Sequence, residues 1–181
     1  MNQASTHPIV RRAIDVAQLD ERTYVEIAHD PNATKEAALV VILVAIANGI
    51  GTLGEGSPGL IAGIAAGLLG WVVFSAVTWF VATNITGSPT TTTSVEALMR
   101  TIGYARVPGL LTIFGSIWLI GWIFSVVAGI WVLVTSIYAI RTTLRMTWLR
   151  TLATAFLAAI AVGIVNLVVG LIFGIGLALT F

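Results

Sequence analysis

The sequence has no cysteine, only two histidines and very little charge: nine Lys or Arg and eight Asp or Glu in 181 residues, for a net charge of +1. The lack of Cys excludes disulfides, thiolate chemistry and Cys-ligated metals, and leaves the compartment open. The near-zero net charge leaves no basic footprint for nucleic acid. His7 and His29 make no metal-ligand spacing and read as solvated side chains, so no metal or other cofactor is expected. Within the apolar runs no Asp, Glu, Lys, Arg or His stands away from an end. Such residues mark proton and ion pathways, and their absence argues against a proton-coupled pump. Gly115-Ser116 has no intramembrane His or Asp beside it, so a serine nucleophile would lack its base. The chain reads as non-enzymatic, with no catalytic residue to name.

What is present is apolar. Hydrophobic residues make up 57% of the chain, charged ones 9%, and mean hydropathy is +0.99. A soluble domain is about 45–50% apolar and about 25% charged, and needs those polar residues to cover its surface. All nine basic residues and seven of the eight acids fall in three polar islands. The first is the N-terminal segment, the second runs from Thr83 to Arg106, and the third from Arg141 to Arg150. Glu55 stands apart in the turn Gly54-Glu55-Gly56-Ser57-Pro58-Gly59. Met1 to Glu36 carries charges of both signs and no apolar run of signal-peptide length.

The fold class is all-α: a polytopic helical membrane protein with five transmembrane helices. Residues 1–36 form a cytoplasmic amphipathic helical segment and residues 37–181 the transmembrane domain. In the N-terminal segment Ile9, Val10, Ala13, Ile14 and Ala17 recur at helical spacing, as do Tyr24, Ile27 and Ala28. That helix lies either on its own protein or on lipid headgroups. Asp30-Pro31 stops it, and Asn32 or Thr34 caps the next. Span one is about Ala37–Leu53 and span two about Leu60–Ala82, with Trp79 placed to anchor an interface. Ser94 or Thr93 caps a helix from Val95, which Pro108 kinks. The uncharged run from Val107 to Ile140 would be about 51 Å as one helix, against a hydrocarbon core of about 30 Å. It is expected to fold back near Gly115-Ser116 and Gly121-Trp122, giving a short span three and a span four of about Trp122–Ile140. Span five lies within Thr151–Phe181, long enough to require tilt, bend or protrusion.

Orientation follows from the basic residues. With five spans, all nine basic residues lie on one side and none on the other. Lys and Arg near span ends stay cytoplasmic, which places the N-terminus in the cytoplasm and the C-terminus outside.

The candidate contacts are few. Gly59, Gly63 and Gly67 on span two, and Gly170 with Gly174 on span five, have the small-xxx-small spacing that lets helices pack within a protomer or in a homo-oligomer. Asn48 and Asn166 are the most polar intramembrane side chains. They read first as interhelical hydrogen bonds worth about 1 kcal/mol or less, with a solute contact as the alternative. Arg100, Arg106, Arg141, Arg145 and Arg150 form a basic collar, read as snorkelling or as a contact for anionic lipid or an acidic partner.

One pattern is familiar: Asp30-Pro31-Asn32-Ala33-Thr34-Lys35-Glu36-Ala37 entering span one, a Thr-rich loop, then Gly103-Tyr104-Ala105-Arg106-Val107-Pro108 entering span three. It resembles the prokaryotic branch of the Yip family, the Ypt/Rab-interacting membrane proteins. Asp30, Pro31, Thr34, Gly103, Tyr104 and Pro108 carry the resemblance. It implies five spans and a cytoplasmic N-terminal region. Eukaryotic members act in membrane traffic and contact small GTPases; they carry a longer N-terminal region and an acidic, Tyr-Gly-Pro-containing motif that this sequence does not show. The expected function is to organise membrane lipid or protein partners through the cytoplasmic face, in the cell membrane; the alternative is a small oligomeric channel or transporter.

Overall fold

The computed structural model describes residues 8–52, 60–87, 93–117 and 119–178, with the side-chain surroundings of all these except 169, 170 and 172–178. Their regular structure is all helical, with no strand among the described residues. Helix α1 (Pro8–Ala17) ends where Leu19 adopts a left-handed φ of 63°. Asp20 then caps α2 (Glu21–His29) by accepting from the Arg22 N–H at 3.0 Å. Next come α3 (Ala33–Gly51), α4 (Leu60–Val81) with a π turn at Ala82–Thr86, α5 (Val95–Ala105), a 3₁₀ segment at Val107–Ser116, α6 (Gly121–Leu144) and α7 (Trp148–Ala178).

Four of these helices are long and apolar enough to cross a membrane: Ala33–Gly51, Leu60–Thr86, Gly121–Leu144 and Trp148–Val168. The remaining expected crossing, over α5 and the 3₁₀ segment, is not one kinked α-helix. Pro108 has no N–H to continue the ladder. The α-helix stops at Ala105, and the Gly109 N–H donates three residues back to Arg106 O at 2.8 Å. The tighter 3₁₀ winding carries the chain on to Ser116. It folds back where glycine spacing suggested. The Gly121 N–H donates to Ile117 O at 2.7 Å, and a Cβ on Gly121 would lie 2.0 Å from Gly115 O, so the turn admits no side chain there. The expected turn at residues 54–59, with Gly59, lies outside the described residues.

Capping departs from expectation at one site. Asn32 occupies the N-cap position of α3, but its side chain makes no cap bond. Its backbone N–H instead donates to Asp30 Oδ1 at 2.9 Å, and the Thr34 hydroxyl accepts from Arg100 Nε at 2.9 Å. Ser94 caps α5 as expected, accepting from Ala97 N–H at 3.2 Å. Trp79 bonds inward, donating to Thr93 O at 2.7 Å. Thr93 in turn donates to Thr143 O. These bonds draw the three polar islands to one end of the bundle.

The core sits toward that end. Tyr24, Ile27, Leu98, Ile102, Tyr104 and Ile140 are almost wholly buried. The outer faces of α4, α6 and α7 expose Ile61, Leu69, Trp122, Leu133, Phe156 and Leu167. In water such a surface would be a liability; in lipid it is solvated.

Candidate functional site

Two sites emerge from the packing. The first is a clamp made by the N-terminal helices. The Arg12 guanidinium meets Glu26 from α2, Asp30 at the α2 C-cap and Glu36 from the first turn of α3, at 2.7–3.0 Å. Tyr104 of α5 donates to Glu36. Arg12 is 8% exposed. Burial alone disfavours its cation, but the bonds to Asp30, Glu26 and Glu36 outweigh that and raise its pKa. The same bonds from Arg12 hold Glu26 and Asp30 below the usual carboxylate range. Beside this cluster, the buried Tyr24 hydroxyl donates to Val16 O at 3.0 Å, with Thr135 O of α6 at 3.4 Å. Burial pushes the Tyr24 phenol up. Trp131 Nε1 donates to Ala17 O at 3.0 Å, and Arg100 donates to Ala28 O at 3.0 Å.

This rotates α1 from the orientation its apolar spacing suggested. Val10 and Ile14 are about half exposed, while Arg12 and Val16 face inward. Three carboxylates from other elements converge on Arg12, and that attraction decides the face. Spacing alone could flag only that Arg12 precedes Val16 by four residues, a cation in line with an apolar position. The partners' convergence has no local signature.

The clamp also sets a depth. A Cβ on Gly103 would lie 2.7 Å from Ala37 Cβ and 3.1 Å from Trp71 Nε1, so the start of α3, the middle of α4 and the end of α5 share a level. Trp71 Nε1 donates to Met99 O there. Thr135 donates to Ala105 O at 2.6 Å, putting α6 at that level too. From Thr135, α6 continues about 14 Å to Leu144 and about 21 Å back to Gly121. The helices α1 and α2 therefore fill a notch beside α5 and α6, where α3 begins below the end that gathers the polar islands.

The second site is an apolar cavity of about 890 Å³, lined by α3 to α7. Its walls include Phe74, Ile102, Val132, Ile140 and Leu152, with Ser136; Arg106 is the one charged lining residue among the described residues.

The other sequence candidates scatter. Pro31 is exposed in the turn before α3, and Pro108 is buried. Gly67 faces Ala45 of α3, 3.3 Å from where its Cβ would be, whereas a Cβ on Gly63 would meet nothing within 4 Å. Gly170 and Gly174 are helical in α7, their surroundings outside the described set. Asn48 and Asn166 are both exposed on the outer surface, on α3 and α7, and neither lines the cavity. Arg141 stacks on Trp148 at 4.5 Å, with its Nε buried without a partner. Arg145 ends α6 at φ 51°, and Arg150 is exposed.

The Yip1 domain family matches residues 20–170, from the cap of α2 into α7. The chain belongs to the Yip1-domain family. No curated protein and no solved structure matches it. The match spans the α2 half of the clamp and every cavity-lining residue. Together with four apolar helices, it makes this Yip1-domain chain a multi-pass integral membrane protein.

Proposed function

We propose that this Yip1-domain protein is a non-enzymatic scaffold of the prokaryotic cell membrane, organising lipid or protein partners through its cytoplasmic face. It threads the membrane five times, with its N-terminus in the cytoplasm and its C-terminus outside. The observation that carries this is the clamp. Arg12 and Tyr24 fasten two polar helices onto the end where all the polar islands meet, giving one preformed face built from α1, α2 and α5. Preformed surfaces bind without first losing chain entropy.

A channel or transporter remains the alternative reading, built as an oligomer. Two polar side chains exposed toward lipid, Asn48 and Asn166, would find partners in such an assembly. Reconstituted proteoliposomes decide between the two. The scaffold predicts no flux of ions, protons or small solutes above empty vesicles, together with saturable cross-linking of a partner at Lys35 on the cytoplasmic face. Solute flux that disappears in Asn166→Leu would overturn it.

A further inference from the structure

Two arginines at the same depth have opposite circumstances. Arg12 is surrounded by three carboxylates. Arg106 follows Ala105, whose carbonyl binds Thr135 in that same layer. Yet Arg106 pairs with no carboxylate and donates no side-chain hydrogen bond among the described residues. It is half-buried, against the apolar side chains of α5 and α6. It lines the apolar cavity.

A guanidinium in apolar surroundings is costly without a counter-ion, and an ionisable residue at membrane depth marks a site. The cavity has the volume of a ligand pocket, about 890 Å³ against about 300–1,000 Å³. It is not sealed. Leu133, Leu149 and Phe156 line it and are 61%, 80% and 67% exposed, so it opens sideways between α6 and α7. Gly129 keeps one wall clear: a Cβ there would touch nothing within 4 Å. The occupant must therefore be anionic at one point, apolar elsewhere, and able to enter from the bilayer.

We infer that the groove between α6 and α7 binds one anionic phospholipid of the surrounding membrane, its acyl chain against Leu133, Leu152 and Phe156 and its phosphate on Arg106. Arginine suits a phosphate because its planar fork can donate two parallel bonds. The inference rests on the scaffold reading for its membrane setting, but the two fail separately. Flux in proteoliposomes would remove the scaffold and leave the lipid site standing; loss of lipid selectivity would do the reverse.

The test is native mass spectrometry of the full chain, released from nanodiscs containing equal phosphatidylglycerol and phosphatidylcholine, with oleate added in a parallel arm. The expected result is one retained phosphatidylglycerol per protomer, preferred over phosphatidylcholine by about tenfold, the worth of a charged hydrogen bond. Arg106→Gln should abolish the preference and Arg106→Lys retain part of it. Ala153→Trp, which fills the groove and leaves the charge, should lose the bound lipid. Lys35→Gln should change nothing. Equal retention of the two phospholipids, undiminished preference in Arg106→Gln, or oleate displacing the phospholipid would each overturn the proposal. Should Arg106→Gln fail to fold, the Ala153→Trp result decides alone: lipid retained at the same stoichiometry refutes the site.

Discussion

Gly103 is where a single methyl group matters most. Its missing Cβ lets α5 approach Ala37 of α3 and Trp71 of α4 together. Ala37 is fully buried and Trp71 is bonded to Met99 O, so neither neighbour can yield. Gly103→Ala should destabilise the protein by about 1–3 kcal/mol, the usual cost of overpacking. Thermal unfolding in detergent measures it, and an unchanged midpoint would mean the three helices are not in contact at this level. Gly63, with open space around it, serves as the comparison: Gly63→Ala should be neutral or slightly stabilising, as alanine favours helix. Small-residue spacing treats the two glycines alike; only their neighbours separate them.

At the scale of elements, the N-terminal pair α1–α2 is held by charge as much as by apolar contact. Removing Arg12 would leave three carboxylates facing one another. The cost should be about 2–4 kcal/mol, below the about 3–5 of a fully buried pair, because the Glu26 side chain keeps 42% exposure. Arg12→Gln should therefore release α1–α2 at neutral pH, read as faster amide exchange over residues 8–29. The intact clamp should also respond to acid. Glu26 and Asp30 titrate lower when folded than when unfolded. Their stabilisation is complete above the ordinary carboxylate value near 4 and is lost as pH falls below it, through the depressed folded values. Exchange over α1–α2 should rise between about pH 4 and pH 2 in the native chain. Arg12→Gln should show little further change over that range; a parallel rise would show that other groups drive it.

For the whole molecule, the threading is the prediction. Helix α6 can carry Arg141 and Arg145 to the cytoplasmic side only if its Gly121 end begins outside, so α5 and the 3₁₀ segment must cross as a unit. At about 1.5 Å and 2.0 Å per residue, they span about 36 Å, enough for a hydrocarbon core of about 30 Å. Cysteine labelling in intact cells should reach Leu119→Cys from outside, and Arg22→Cys and Arg145→Cys only after permeabilisation. Labelling of position 145 from outside while position 22 stays protected would break the five-span threading.

The all-helical class, the apolar spans, the fold-back near Gly115 and the gathering of basic residues into islands could all be read from the chain. Each rests on a quantity that adds up locally: transfer free energy per residue, the reach of a helix, the cost of moving a charge through lipid. The 3₁₀ winding after Arg106 escaped because Pro108 is compatible with a kink as well as a change of helix type. The inward turn of Arg12, the shared level of Ala37, Trp71 and Gly103, and the cavity around Arg106 belong to the tertiary structure alone. They depend on which faces of separate helices meet, and no periodicity within one helix encodes the charge or shape that another will bring to it.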